Sequence, residues 1–222
     1  TFHLGGAANV AKNLANLGVN VFLLTALAKD SYLSEITSLL KIYGVNLVDT
    51  NWNIKNNMRK IRFIVNQQQL FRYDIEDYIP EEISKNFSEK ISKICPEFEI
   101  IIFSDYAKGL FDFVDTEIIK EKFGKQIIID SKSCKKKLIR NASILKPNIS
   151  ELRKICNLYN IQKNNLFDQA LEIKKLFNLE NLLVTLGSKG MIALTDNTDT
   201  IIKIDPFERD VYDVTGAGDT VT

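Results

Sequence analysis

The sequence predicts an α/β fold with a mostly parallel central sheet, helices on both faces and a small β lid. Short apolar runs alternate with segments whose apolar residues recur at helical spacing. Several of these runs, such as Ile100–Phe103, are apolar throughout, as in parallel strands buried on both faces. Two further runs alternate apolar and charged residues, which is typical of an exposed hairpin.

The elements follow from apolar spacing and from glycine or proline at their ends. Gly18 and Gly44 end the first two helices, and Pro80 begins the third. The predicted order is helix 6–17, strand 19–24, a helix from Asp30 or Ser31 to Gly44, strand 45–48, the hairpin, the helix from Pro80, strand 100–103, helix 113–123, strands 126–130 and 143–146, helices 149–158 and 167–177, strand 182–185, and edge strands within 190–204.

The hairpin is predicted from Arg59–Val65 and Leu70–Ile75, joined by residues 66–69. A side-chain period of two separates an apolar face from a charged face. The apolar face carries Ile61, Phe63, Val65, Phe71, Tyr73 and Ile75, and the charged face carries Lys60, Arg62, Arg72 and Asp74. A two-stranded ribbon is marginal alone, so we expect its apolar face to pack on another surface. The charged face either meets a ligand or is simply solvated.

Composition excludes several classes of protein. The 222 residues include 45% hydrophobic residues, enough for one sizeable core, and the formal net charge is +1. The charged residues are scattered along the sequence, so they predict no basic surface for binding nucleic acid or an acidic membrane. Cys95, Cys134 and Cys156 are odd in number and far apart, which disfavours disulfides or a zinc site and indicates a reducing, cytoplasmic location. No apolar run approaches the ~20 residues of a membrane span.

The stretch from Asp213 to Thr222 combines a glycine motif with an acid. Gly216 and Gly218 permit a turn in which the amides of residues 216–218, including that of Ala217, converge on one anion. Asp219 follows directly and could accept a proton from the group that attacks this anion. The alternative is a left-handed turn followed by an aspartate that caps a helix.

Polar residues follow four successive predicted strands, and parallel strands bring their carboxyl ends to one edge. These residues are Asp105 and Lys108 after the first strand, Lys132 after the second, Asn148 and Glu151 after the third, and Gly187 and Gly190 after the fourth. Each has a structural alternative. Asp105 could cap a turn, Asn148 and Glu151 could form a capping box, the glycines could form a hairpin turn, and Lys132 could lie in a solvated loop.

Two motifs about two hundred residues apart resemble the signatures of the PfkB (ribokinase-like) carbohydrate kinases: Gly5-Gly6-Ala-Ala-Asn9 at the start, and Gly216-Ala-Gly-Asp219 at the end. Asn148-Ile-Ser-Glu151 and Leu186-Gly-Ser-Lys-Gly190 resemble two more. The resemblance implies a ribokinase-like three-layer fold, with ATP and Mg²⁺ as cofactors. It makes Asp219 the catalytic base beside the 216–218 amides. Gly5, Gly6 and Asn9 would contact the sugar.

The same resemblance assigns the remaining ligands. Asn148 and Glu151 would hold Mg²⁺, through water, near the transferring phosphate. Gly187, Gly190 and Lys132 would lie on the nucleotide side. Asp213 would lie near a monovalent-cation site, for K⁺.

Within the family, the hairpin and the segment Ser104–Gly109 are similar to the D-glycero-D-manno-heptose 7-phosphate kinases. This similarity implies ATP-dependent phosphorylation of the anomeric hydroxyl, giving the 1,7-bisphosphate for nucleotide-activated heptose and lipopolysaccharide synthesis. Lys60, Arg62 or Arg72 would meet the 7-phosphate, and Asp74, Asp105 and Lys108 would lie on the substrate side. The alternatives are another sugar kinase, of the ribokinase or phosphofructokinase type, and a non-catalytic module that binds sugar phosphates.

Domain organisation and partners are also expectations. We expect one kinase domain over residues 1–222, shortened at both ends relative to the family pattern, with a β-hairpin lid over about 52–77. The small-molecule partners are a sugar phosphate and ATP, with no nucleic acid and no membrane. We also expect a homodimer, and fusion to a nucleotidyltransferase domain outside this chain.

Overall fold

The computed structural model describes residues 2–48, 52–66, 68–195, 201–206 and 217–222. It divides into two compact units, which are considered separately. The first comprises Thr1–Lys85 with Lys108–Asp112, and the second comprises Asn86–Ala107 with Phe113–Thr222.

The first unit begins with two helix–strand pairs. Helix α1 (Ala7–Asn16) precedes β1 (Phe22–Leu23), and α2 (Leu33–Ile42) precedes β2 (Asn46–Leu47). Both helices agree with the sequence pattern. The strands are shorter than predicted, and they pair in parallel with each other in a sheet of their own. An apolar run indicates which side chains are buried. The number of residues that form a strand depends instead on how far the neighbouring strand pairs with them. The buried cluster between these elements contains Ala11, Val21, Leu23, Leu40 and Val45.

The predicted hairpin is present as strands β3 (Arg59–Val65) and β4 (Gln68–Ile75), which pair antiparallel. A register shift after Phe63 makes the connection shorter than the four residues predicted. The apolar face does not pack as expected: Phe63 is 44% exposed and Phe71 is 55% exposed. Their rings stack on each other, with centroids 4.1 Å apart.

Helix α3 (Glu81–Ile94) follows the hairpin and leads to the six-stranded sheet of the second unit. The strand order is β10-β9-β8-β7-β6-β5. Neighbours from β5 to β8 pair in parallel, and β9 and β10 add antiparallel pairs, as the sequence predicts. The strands are β5 (Ile100–Asp105), β6 (Gln126–Ser131), β7 (Ile144–Leu145), β8 (Asn181–Thr185), β9 (Met191–Leu194) and β10 (Ile201–Ile204).

Helices of the second unit connect these strands or follow them: α4 (Thr116–Phe123), α5 (Lys136–Ile139), α6 (Ile149–Leu158), α7 (Leu166–Leu176) and α8 (Ala217–Val221). Asp115 caps α4 and Asn165 caps α7 through their side chains. The sequence pattern did not reveal α5, because four residues are too few to show a helical period. Within the described ranges, no helix is both long and apolar enough to cross a bilayer.

Candidate active site

A polar pocket of the second unit lies at the carboxyl ends of its parallel strands. It is lined by Ser104, Asp105, Tyr106, Asp130, Lys132, Lys146, Asn148, Glu151, Thr185, Gly218 and Asp219. These residues come from the ends of β5 to β8 and from α8, which are distant in sequence. The parallel strands bring these residues to one edge of the sheet. The sequence predicted this position for Lys132, Asn148 and Glu151.

Asp219 lies on this pocket in a defined orientation. The hydroxyl of Tyr106 donates a hydrogen bond to Asp219 Oδ1 at 3.0 Å. Burial, followed by the charge and hydrogen bond of Asp219, raises the pKa of Tyr106. The phenol therefore stays protonated and acts as a donor. Gly218 lies beside Asp219, and among the described residues outside its own helix no atom lies within 4 Å of a Cβ built there.

A buried ion pair forms the floor of the pocket. Lys146 follows β7 and is only 4% exposed. Its Nζ lies 2.9 Å from Asp130 Oδ2, at the end of β6. Asp130 Oδ2 also accepts a hydrogen bond from Thr222 Oγ1 at 3.0 Å. This arrangement keeps an ammonium group at a site where water is scarce, so its charge acts at short range with little screening.

Asp105 organises the loop that carries Lys132. It is 5% exposed. Its Oδ2 accepts hydrogen bonds from Ser131 Oγ at 2.7 Å and from the Ser133 amide at 3.1 Å, while Oδ1 accepts from the Ala107 amide. These contacts are those of a side chain that caps a turn, which was the structural alternative for Asp105. A role of Asp105 in substrate binding stays a prediction. Lys132 itself projects over the ring of Tyr106, with Nζ 4.0 Å from the centroid.

Asn148 and Glu151 form the capping box that was the structural alternative. Asn148 Oδ1 accepts from the Glu151 amide, and Glu151 Oε2 accepts from the Asn148 amide, both at 2.9 Å. Both side chains also line the pocket. Burial is the largest cause of the raised pKa of Glu151, and the nearby charge of Asp130 also raises it. The hydrogen bond from the Asn148 amide and the charges of Lys146 and Lys132 act in the opposite direction and lower this pKa. A structural cap thus coincides with a carboxylate that is costly to keep charged.

We expect Glu151→Gln to increase thermal stability at neutral pH. Because the folded pKa is raised above the usual 4.5, the charged carboxylate destabilises the fold progressively as the pH rises through and above that value. Glutamine keeps the cap and removes this cost. Thermal unfolding at pH 7.5 and pH 4.5 measures the effect: the difference between variant and wild type should shrink at the lower pH. Glu172→Gln, on the exposed side of α7, is the control. A lower melting temperature for Glu151→Gln at pH 7.5 would contradict the assignment.

The side chains of this pocket suit a nucleotide phosphate with Mg²⁺. Lys132 and Lys146 supply positive charge, and Asp130, Asn148 and Glu151 supply oxygen atoms. In the part of the chain described, no group of three or more His, Cys, Asp or Glu side chains could enclose a metal by itself. Mg²⁺ commonly binds through one or two carboxylates with water and substrate phosphates, so this set fits that mode.

The glycine motifs occupy sharp turns. Gly6 has φ 57° and is the N-cap of α1, while Asn9 lies in its first turn. Gly187 and Gly190 form the turn of the β8–β9 hairpin, the alternative considered above, and do not line the pocket described here. The roles predicted for these residues and Gly5 remain untested. Gly216 and Asp213 lie outside the described residues, as does the side chain of Ala217.

Ion pairs connect the side chains on the charged face of the hairpin, which belongs to the first unit. Lys60 lies 3.6 Å from Asp74 and 3.4 Å from Glu76, and Arg72 Nε lies 2.8 Å from Asp74. Lys108 contacts Glu76, and this hydrogen bond is the main cause of the lowered pKa of Glu76. Arg62 lies directly opposite Arg72 in the ladder. The predicted substrate-side residues Lys60, Arg62, Arg72, Asp74 and Lys108 therefore lie in one unit.

Sequence reasoning assigned no role to Asp130, Lys146 or Tyr106. Asp130 lies near the end of β6 and Lys146 directly follows β7, so the rule that placed Lys132 at the sheet edge also places these two residues there. Tyr106 stands inside the quoted segment Ser104–Gly109, yet no local pattern says that its hydroxyl reaches a residue 113 positions away.

Comparison with known proteins finds relatives that are similar to this chain over almost its whole length. The chain is 34% identical over 222 residues to the bifunctional protein HldE of Hydrogenovibrio crunogenus, covering 98% of this chain and 45% of that protein. The chain thus spans about half the length of the curated relatives it matches.

Solved structures support the ribokinase-like fold. Phosphofructokinase-2 from Escherichia coli in complex with potassium superposes with a TM-score of 0.73 at 20% identity, covering 97% of this chain and 71% of that one. Ribokinase from Thermotoga maritima gives a TM-score of 0.74 at 18% identity, covering 98% and 71%. At these identities the likeness concerns the fold. The family profile described as pfkB family carbohydrate kinase matches residues 1–222, and the chain therefore belongs to that family.

Proposed function

We propose that this kinase transfers the γ-phosphoryl group of ATP to the anomeric hydroxyl of D-glycero-D-manno-heptose 7-phosphate. The observation that carries the proposal is Asp219 on the wall of the pocket that also holds Lys132, Lys146, Asn148 and Glu151. The proposed proton acceptor and the proposed phosphate ligands thus line the same pocket. Phosphoryl transfer requires mainly positioning and charge neutralisation around such an acceptor.

In the proposed reaction, Asp219 accepts the proton of the sugar hydroxyl. The hydroxyl oxygen forms a bond to the γ-phosphorus, and the electron pair of the broken P–O bond stays with ADP. Lys146 and Lys132 neutralise charge on the phosphates, and the Gly218 amide, in the first turn of α8, faces the transferring group. Asn148 and Glu151 would hold Mg²⁺, which would supply further positive charge for the phosphates.

The heptose 7-phosphate assignment is supported by the relatives named HldE and by the charged face of the hairpin. Like charges directly opposite each other in a ladder are unfavourable, and Arg62 faces Arg72. A phosphate group that accepts hydrogen bonds from both guanidinium groups would remove this repulsion. The carboxylates of Asp74 and Glu76 already pair with Lys60, Arg72 and Lys108, so Arg62 is the residue of the pair that we assign to the 7-phosphate.

Substrate choice is tested by ATP turnover of the full-length protein against heptose 7-phosphate, free heptose, fructose 6-phosphate and ribose. We expect heptose 7-phosphate to have the highest kcat/KM. Arg62→Met should raise KM for heptose 7-phosphate by roughly 10-fold or more, the loss of one charged hydrogen bond, and leave KM for ATP unchanged. The control, Lys203→Met, removes an exposed charge paired with Asp205. Preference for fructose 6-phosphate or ribose would replace the heptose assignment with another sugar kinase of the fold.

Assembly and location stay predictions. The exposed apolar face of the hairpin, with Phe63 and Phe71, is the surface that would serve the predicted homodimer. The word bifunctional in the names of relatives that are about twice as long supports fusion to a second domain, which we propose to be a nucleotidyltransferase. A cytoplasmic location and a potassium site near Asp213 are proposed from family resemblance.

A further inference from the structure

We infer that Tyr106 is a positioning residue that serves both sides of the reaction: its hydroxyl orients the Asp219 carboxylate, and its ring supports Lys132. The inference rests on the proposed function, because it takes Asp219 as the base. Tyr106 belongs to the segment Ser104–Gly109, which the sequence analysis singled out without giving this side chain a role.

The Tyr106 hydroxyl connects two elements that are distant in the sequence. Tyr106 follows β5, and Asp219 lies in α8. Their hydrogen bond of 3.0 Å joins elements that are 113 residues apart, and the phenol is partly buried. A carboxylate in a short terminal helix has two rotatable side-chain bonds. A hydrogen bond to Oδ1 restricts both, and it fixes the direction in which the other oxygen points.

The aromatic ring of Tyr106 contacts the side chain of Lys132. Its Nζ lies 4.0 Å from the ring centroid, within the range of a cation–π contact. Its backbone is also held, because the Lys132 amide donates to the Asp105 carbonyl at 3.0 Å and its own carbonyl accepts from Lys154 Nζ. A lysine side chain has four rotatable bonds, and the ring limits where its ammonium group can go. One tyrosine therefore fixes the distance between the proton acceptor and a phosphate ligand.

Replacing Tyr106 by phenylalanine separates the two roles. Tyr106→Phe keeps the ring under Lys132 and removes the hydroxyl, so kcat should fall by about 10- to 100-fold while KM for ATP stays within about twofold. Tyr106→Leu removes both contacts and should raise KM for ATP as well. Tyr159→Phe is the matched control: it removes a phenol hydrogen bond of 2.9 Å to the Cys134 carbonyl, and kcat should not change.

A double-mutant cycle with Asp219→Asn tests whether Tyr106 acts through the base. In that background, adding Tyr106→Phe should change the residual rate by less than about twofold, whereas a general structural effect would multiply with the first loss. If the residual rate of Asp219→Asn is below detection, the kinetic constants of the single variants decide. A lower kcat for Tyr106→Phe with an unchanged KM for ATP supports the positioning role, and an unchanged kcat overturns it.

The outcomes distinguish this inference from the function on which it rests. Failure of the wild-type protein to phosphorylate heptose 7-phosphate would overturn the proposed function. Near-normal turnover by Asp219→Asn would show that another group accepts the proton, and it would overturn the positioning role that acts through Asp219. An inactive Asp219→Asn together with an unchanged kcat for Tyr106→Phe would overturn only the positioning role. A fall in kcat that equals the fall in Tyr159→Phe would also overturn it.

Discussion

Asp219→Asn should lower kcat by about a thousandfold or more while ATP and the sugar phosphate still bind, since a positioned general base contributes roughly 10²- to 10⁴-fold. Asparagine has nearly the same shape as aspartate, and its side-chain oxygen can still accept the hydrogen bond from Tyr106. The substitution therefore removes proton acceptance and leaves the geometry of the pocket in place.

The measurement combines steady-state turnover with calorimetric binding of ATP to the full-length protein. Asp205→Asn is the control, because Asp205 is exposed and pairs with Lys203 outside the pocket. Its kcat should equal that of the wild type. Near-normal turnover by Asp219→Asn would show that another group accepts the proton. Loss of ATP binding together with turnover would point to a structural role for Asp219 instead.

Lys146→Met should produce the largest loss of stability among these variants. The Lys146 side chain is 5% exposed and that of Asp130 is 18% exposed, so the substitution leaves a carboxylate in a poorly hydrated site. Removing one partner of a buried pair typically costs about 3–5 kcal/mol. For a chain of this size that corresponds to a fall of roughly 6–20 °C in melting temperature. ATP affinity should fall as well, because the pocket loses an ammonium group.

The double variant Asp130→Asn/Lys146→Met separates charge from shape. It removes the uncompensated carboxylate, so it should recover much of the stability lost in Lys146→Met, although ATP binding stays weak. Thermal unfolding and ATP titration of the single and double variants make the comparison. A melting temperature for Lys146→Met within about 2 °C of wild type would mean that Asp130 is well hydrated and that the pair contributes little.

Local pattern predicted most elements of the second unit. The apolar spacing of residues 149–158 reproduces α6, and the apolar run 182–185 marks β8. In contrast, the runs at 19–24 and 45–48 became strands of two residues each. Hydrophobic periodicity reports which face is buried, whereas the length of a strand depends on how far its partner runs alongside it.

The candidate site shows the same division. Lys132, Asn148 and Glu151 could be assigned to one edge from the strand order that the sequence implies, because parallel strands end together. The capping box and the pocket turned out to use the same two residues, Asn148 and Glu151, which the sequence could present only as alternatives. The apolar face of the hairpin was expected to be covered, and its exposure depends on packing that no local pattern encodes.

By itself, the sequence determined the succession of helices and strands, the edge at which polar residues gather, and the glycine motifs at its two ends. Only the tertiary structure decided that Tyr106 meets Asp219 and that Lys146 meets Asp130. Periodicity is a property of neighbouring residues, and it survives in any fold that buries the same faces. A hydrogen bond or an ion pair requires two side chains to approach within about 3 Å in suitable rotamers, and register and packing across the whole sheet set that distance.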